Sequence, residues 1–124
     1  MANDQITVLS IYGEETTGAS PETILLVVDG VSGDTIPVPE GTNLVITDIL
    51  LNSEDSSLFS LEVDRGSGFS PIAYYGINSP TSTGVVNLKT GILVKGGPGV
   101  VFRVRVLTPI GTLVSVTLRA YLES

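Results

Sequence analysis

Histidine, cysteine and tryptophan are absent from this sequence of 124 residues. Histidine and cysteine supply most general bases near neutral pH, most activated nucleophiles and most transition-metal ligands. Their absence excludes the commonest enzyme mechanisms, and the fold must form without disulfide bonds. The sequence therefore indicates a structural or binding module that has no enzymatic activity and no cofactor.

Charge is also scarce, because only 15% of the residues are charged. Thirteen acidic residues against six basic ones give a net charge of -7, which repels nucleic acid phosphates and anionic membranes. No apolar run approaches the roughly 20 residues of a membrane span. The first residues show no basic segment followed by an apolar one, so we expect no signal peptide and synthesis in the cytoplasm.

The hydrophobic pattern consists of short strands separated by turn residues, with 14 glycines and 7 prolines. This spacing predicts an all-β fold, an antiparallel β-sandwich of about eight to ten strands that forms a single domain over residues 1–124. A short helix near residues 48–57 is the alternative for one segment. Asp29-Gly30 is predicted to form a tight turn. In the last strand, alternation predicts that the core-facing residues are Val114, Val116, Leu118, Ala120 and Leu122. The predicted strands are 5–12, 23–28, 34–38, 43–51, 58–64, 69–75, 85–89, 92–95, 100–107 and 112–122.

Two predicted strands are apolar on both faces, which is unusual for a sheet with one solvated side. In residues 23–28, Leu25 and Val27 lie opposite the remaining apolar residues, and in residues 43–51 Val45 and Ile49 lie opposite Leu44 and Ile46. Apolar residues on both faces of these strands predict a second buried surface. The simplest such surface is an interface in a homo-oligomer, and we expect a trimer. Alternatively, loops or the N-terminal strand cover this surface within one chain. The apolar interface candidates are Ile6, Val8, Leu25, Val27, Val45 and Ile49, joined by Tyr121.

Basic residues alternate with apolar ones in residues 100–107, so Arg103 and Arg105 share one face of that strand. Arg119 joins them on this face if the turn at Pro109 forms a hairpin. Two interpretations stay open. Either the arginines pair with Glu62, Asp64 or Asp48 across strands, or they contact an acidic partner surface.

Carboxylates are the remaining catalytic candidates, and they occur in four pairs. A glycosidase needs two such groups facing each other across a cleft, and nothing in the sequence indicates a cleft. Calcium needs only oxygen ligands, so residues 29–34 and 52–57 are the places where it could bind, although neither has the EF-hand spacing. Solvated loop charges are the simpler interpretation of the four pairs, which are Glu14-Glu15, Asp29 with Asp34, Glu54-Asp55, and Glu62 with Asp64.

Three segments resemble a known group of proteins. Residues 38–49 (VPEGTNLVITDI) and the closing segments 91–97 (GILVKGG) and 116–122 (VTLRAYL) are similar to small jelly-roll domains of bacteria and tailed phages. The resemblance covers about residues 37–122, and Ala120 stands where that group often has glycine. It implies a jelly-roll β-sandwich used as a trimeric or clustered module on virions or cell surfaces, including phage capsid decoration (cement) proteins. It brings no catalytic residues.

The resulting hypothesis is a capsid decoration protein on the virion exterior, which binds copies of itself and other capsid or surface proteins but neither nucleic acid nor membrane. We expect attachment through residues 1–12 or through the loop 76–84. The main alternative is a carbohydrate-binding domain, which would place Tyr, Asp and Asn around a concave site. The missing tryptophan and only four tyrosines disfavour an aromatic sugar-stacking platform. A carboxylate enzyme is the third hypothesis.

Overall fold

The computed structural model describes residues 6–78 and 83–124, with the backbone alone for residues 83–90. These residues form eleven strands and no helix, so the alternative of a helix at 48–57 is wrong. No helix in this part of the chain is therefore long and apolar enough to cross a membrane. The strands are β1 (Ile6–Thr16), β2 (Glu22–Thr23), β3 (Leu26–Val28), β4 (Val31–Gly33), β5 (Ile36–Pro37), β6 (Asn43–Ser53), β7 (Ser57–Asp64), β8 (Phe69–Ile77), β9 (Thr83–Lys95), β10 (Val101–Leu107) and β11 (Leu113–Glu123).

Two antiparallel sheets pack together, which confirms the predicted β-sandwich. Sheet A has the strand order β4-β3-β1-β11-β6-β9, and sheet B has the order β2-β10-β7-β8, with β5 also paired to β10. From β6 onwards the chain passes from sheet A to β7 and β8 in sheet B, returns to β9, crosses to β10 and ends in β11. These crossings give the sandwich a jelly-roll-like topology.

The core lies between the inner faces of the two sheets, where alternate residues of each strand meet. Val114, Val116 and Leu118 face inward from β11, as the sequence pattern predicts. Phe59 of β7 and Phe102 of β10 are the largest fully buried side chains of sheet B. Burying a side chain of this size stabilises the fold by about 1.5–3 kcal/mol.

Residues 23–28 do not form the single strand that was predicted, because the chain changes sheets within them. Ile24 donates its N–H to the carbonyl of Val104 in sheet B at 2.9 Å, whereas the next N–H, of Leu25, is bound by the Glu15 carboxylate at 2.6 Å. Gly13 permits this crossing, since a Cβ there would lie 2.7 Å from both the Ile24 side chain and the Leu25 carbonyl. The predicted tight turn that follows is confirmed, with φ of 51° at Asp29 and 79° at Gly30.

The two-faced pattern of β6 has a different cause, a β-bulge at Thr47. The register with β11 shifts between Ile46, which pairs with Ala120, and Asp48, which pairs with Arg119. The extra residue reverses the alternation, so Ile49 points into the core while Val45 lies on the outer face. The prediction that Val45 and Ile49 share a face is therefore wrong.

The connection between β10 and β11 is not a hairpin, because it carries the chain from sheet B to sheet A. Buried threonines hold it in place. The Thr17 hydroxyl donates to the Pro109 carbonyl at 3.0 Å and accepts the Thr112 N–H at 3.1 Å. Thr108 donates its hydroxyl to the Ser56 carbonyl at 2.9 Å. Arg119 consequently lies on the opposite sheet from Arg103 and Arg105, which contradicts the predicted cluster of three arginines.

Strand β9 merges the predicted strands 85–89 and 92–95 into one, but the break between them is real. Asp48 pairs with Asn87 and Ile46 pairs with Ile92, so four residues of β9 lie opposite Thr47 alone. Gly91 closes this irregular segment with φ of 75°. A Cβ there would lie 2.7 Å from the Val45 side chain, so the segment contacts the outer face of sheet A.

Candidate functional site

The outer face of sheet A carries an apolar stripe that crosses four strands. The cross-strand register places Val8 opposite Tyr121, Tyr121 opposite Val45, and Val45 opposite Leu93. Ile6 adjoins Val8 on β1. We call these five residues the sheet A stripe. Val8 is 78% exposed and Ile6 65% exposed, whereas Val45, two strands away on the same face, is only 4% exposed.

Polar residues separate this stripe from a second group of apolar side chains on the same face. Arg119 lies directly opposite Asp48 on the neighbouring strand. Beyond them Val27, Tyr12 and Leu50 are each more than one-third exposed. The Tyr12 hydroxyl donates to the Glu14 carboxylate at 2.5 Å, which raises the Tyr12 pKa. The face is therefore apolar with a narrow charged line through it.

The structure brings together part of the predicted interface set. Six of the candidates share the outer face of sheet A, namely Ile6, Val8, Val27, Val45, Tyr121 and Arg119. Leu25 is exposed but lies where the chain crosses between sheets. Ile49 is a core residue and offers no surface to a partner. Arg103 and Arg105 lie on sheet B.

On the outer face of sheet B the arginines pair with Glu62, one of the partners the sequence offered. Arg103 donates its Nε–H to Glu62 Oε1 at 2.7 Å, and Arg105 Nη1 lies 3.8 Å from Glu62 Oε2. The Ser60 hydroxyl donates to the same Oε2 at 3.0 Å. Arg103 also covers the Phe69 ring, with its guanidinium carbon 3.6 Å from the ring centre. Glu62 is only 7% exposed as a result.

A depression of about 300 Å³ lies next to this ion-paired group. Its floor is Ser60, a small residue whose neighbours across the sheet are Arg105 on β10 and Tyr74 on β8. Glu62 borders one side of the depression, and Leu58 and Leu107 border the other. We call it the Ser60 notch. It exists because a short side chain stands between two long ones.

Acidic residues surround a wider depression of about 590 Å³, which Glu14, Glu15, Glu22 and Asp34 line. Burial raises the pKa of Glu15, the hydrogen bond from the Leu25 N–H lowers it, and Glu22 and Asp34 raise it further. Within residues 6–78 and 83–124 no group of three or more acidic side chains is arranged to hold a metal ion. In the two segments considered for calcium, Asp29 forms the tight turn and Asp55 accepts the Ser56 N–H at 2.7 Å.

Sequence reasoning missed several residues of both sites. The missed residues owe their positions to strand register, which no local motif reveals. They are Leu93, Tyr12 and Leu50 on sheet A, and Ser60 and Tyr74 on sheet B. The two predicted attachment segments, 1–12 and 76–84, lie partly outside the residues that the structure describes, which omit 1–5 and 79–82. The sequence matches no protein-family model, and no curated protein matches it.

Proposed function

We propose that this chain is a non-enzymatic structural module of a larger assembly, specifically a bacteriophage capsid decoration protein that stabilises the virion shell from its exterior. The sheet A stripe carries the proposal. Five apolar or aromatic side chains lie side by side across four strands, near one end of the sheet A face. Exposed apolar patches of this kind mark protein interaction sites.

The proposed contact is with further copies of the chain, forming a trimer. Val45 is already buried at the centre of the stripe, while Ile6, Val8 and Leu93 around it are more than half exposed. A partner would remove these three from water, at about 25 cal/mol per Å² of apolar surface. Arg119 and Asp48 lie opposite each other beside the stripe, so the face presents both charge signs to a neighbouring copy.

A decoration protein must also bind many equivalent sites on the shell without binding the genome. The net charge of -7 supports this requirement, because it opposes contact with phosphates. The segments that resemble phage jelly-roll domains add support. In the structure they correspond mainly to β6, β9 and β11, the three strands that carry most of the stripe.

Co-sedimentation with purified capsids of the virus that encodes the chain tests this function. We expect saturable binding with a fixed number of copies per capsid, unaffected by nuclease treatment. A chain that stays in the supernatant at micromolar concentration would contradict the proposal, as would binding that nuclease abolishes.

A further inference from the structure

We propose that the Ser60 notch on the outer face of sheet B is a binding site for a neutral saccharide unit. The inference is independent of capsid decoration, because the notch and the sheet A stripe lie on opposite faces of the sandwich. It rests on the donors, acceptors and apolar walls that strand register brings together around Ser60.

Arg105 supplies the free donors. Its guanidinium group has five N–H groups, and its ion pair with Glu62 is long, with 3.8 Å between Nη1 and Oε2. This separation exceeds hydrogen-bonding distance. Arg103 differs, because its Nε–H is committed to Glu62 at 2.7 Å. Arg105 lines the notch, and beyond its long ion pair with Glu62 its N–H groups can donate to a ligand.

Glu62 supplies a fixed acceptor next to those donors. Arg103 and Ser60 each hold one of its carboxylate oxygens, so the group is oriented before any ligand arrives. A carboxylate has about four lone-pair positions, which leaves capacity for further hydrogen bonds. A ligand hydroxyl can accept from Arg105 while donating to Glu62.

This donor beside an acceptor matches the neighbouring hydroxyl groups of a sugar, since each hydroxyl both donates and accepts. It suits an anion less well. A ligand carboxylate that reached Arg105 would also approach Glu62, and like charges at that distance repel. The net charge of -7 opposes anions further.

The walls of the notch fit the less polar surface of a sugar ring. Tyr74 is 59% exposed and lies directly across from Ser60, so its aromatic face is available for packing against C–H groups. Leu58 and Leu107 pair across β7 and β10 to form the lower wall. The volume of about 300 Å³ is at the small end of ligand pockets, which favours one ring.

The test is a two-dimensional amide NMR titration with the methyl glycosides of glucose, galactose, mannose and N-acetylglucosamine, together with sodium acetate and sodium glucuronate. We expect at least one neutral glycoside to give saturable shifts confined to β7, β8 and β10. Shifts from acetate or glucuronate alone would overturn the proposal in favour of an anion site. The absence of saturable shifts with all four glycosides would also overturn it.

Two variants assign the binding to the notch. Arg105→Ala should weaken glycoside binding about tenfold or more, the typical loss for a hydrogen bond to a charged group. Tyr74→Ala removes the aromatic wall and should also weaken glycoside binding. Tyr12→Ala removes an exposed tyrosine from the opposite sheet and should leave binding unchanged. Equal binding by Tyr74→Ala and the parent chain, with both folded by circular dichroism, would contradict the proposal.

Discussion

Glu62 shows how one residue determines the surface around it. Its carboxylate is almost completely covered although it lies on the outer face of a sheet. Burying a charge is costly unless it is paired and hydrogen-bonded, and Arg103 and Ser60 meet that condition at 2.7 Å and 3.0 Å. The arginines and the carboxylate were all visible in the sequence, but the decisive detail was not: Arg103 pairs closely while Arg105 does not.

Replacing Arg103 by alanine should lower the free energy of unfolding by about 1–3 kcal/mol, because it leaves the Glu62 carboxylate buried with an unfilled acceptor. It also removes the cation over Phe69. Urea unfolding monitored by circular dichroism measures the change. Arg119→Ala removes an exposed arginine from the other sheet and should change stability by about 0.5 kcal/mol or less. Equal losses for the two variants would refute this role of Arg103.

Glu15 predicts a pH dependence of stability. Burial and its acidic neighbours raise its pKa in the folded state, so the folded protein holds this proton more tightly than the unfolded chain does. The stability that Glu15 contributes is therefore fully present below the ordinary glutamate pKa of about 4.3, and it is lost as pH rises from there through the raised value.

Glu15→Gln should accordingly raise the melting temperature at pH 7, and the gain should shrink as pH falls towards 4. Glutamine keeps an oxygen that can accept the Leu25 N–H. Thermal unfolding across this pH range provides the measurement, with Glu40→Gln at an exposed position as the control. A gain that stays constant with pH would show that the carboxylate charge is not the cause.

At the scale of elements, periodicity predicted where strands lie but not where they change face or sheet. The last strand alternates without interruption, and its inward residues were predicted correctly. In β6 one extra residue, Thr47, reverses the alternation, and a bulge leaves no mark in a run of β-branched residues. The sheet change at Ile24 depends on the close approach of Gly13, which involves chain segments distant in sequence.

The bulge itself can be tested by deletion. Removing Thr47 would leave Ile46 facing inward, Asp48 outward and Ile49 inward, so β6 would become a regular strand with its core set intact. We expect this variant to fold and to unfold cooperatively in urea.

Deletion of Thr117 is the matched control, because β11 is regular there against β1. Deleting Thr117 turns the core-facing residues on one side of the deletion to the outer face of the sheet. We therefore expect this variant to lose the cooperative unfolding transition in urea. A Thr47 deletion that abolishes folding as completely as the Thr117 deletion would contradict the assigned register.

At the scale of the whole molecule, the two sheet faces have different characters. Sheet A presents the apolar stripe, and sheet B presents an ion-paired group with a notch. The sequence predicted an apolar surface beyond the core and five of its apolar or aromatic residues, Ile6, Val8, Val27, Val45 and Tyr121. The sequence could not show that Ile49 lies in the core, nor that Arg119 lies on the other sheet from Arg103 and Arg105. Both positions depend on pairing between strands distant in the sequence.

The proposed role of the stripe in self-association can be tested with two isoleucines of similar exposure. Ile6, in the stripe, is 65% exposed, and Ile110, in the connection before β11, is 67% exposed. Ile6→Lys should weaken the oligomer and shift it towards monomer at micromolar concentration, as sedimentation velocity will show. Ile110→Lys should associate like the parent chain. Dissociation by both variants equally would locate the interface elsewhere.

The molar mass of the intact chain in solution tests the central claim most directly. Size-exclusion chromatography with light scattering at micromolar concentration should give a homo-oligomer, with a trimer at three times the 12.9 kDa of one chain. Such a mass is expected because the stripe would otherwise leave Ile6, Val8 and Leu93 in water. A mass of 12.9 kDa throughout the concentration range would contradict the account, because the sheet A stripe would then have no copy of the chain to cover it.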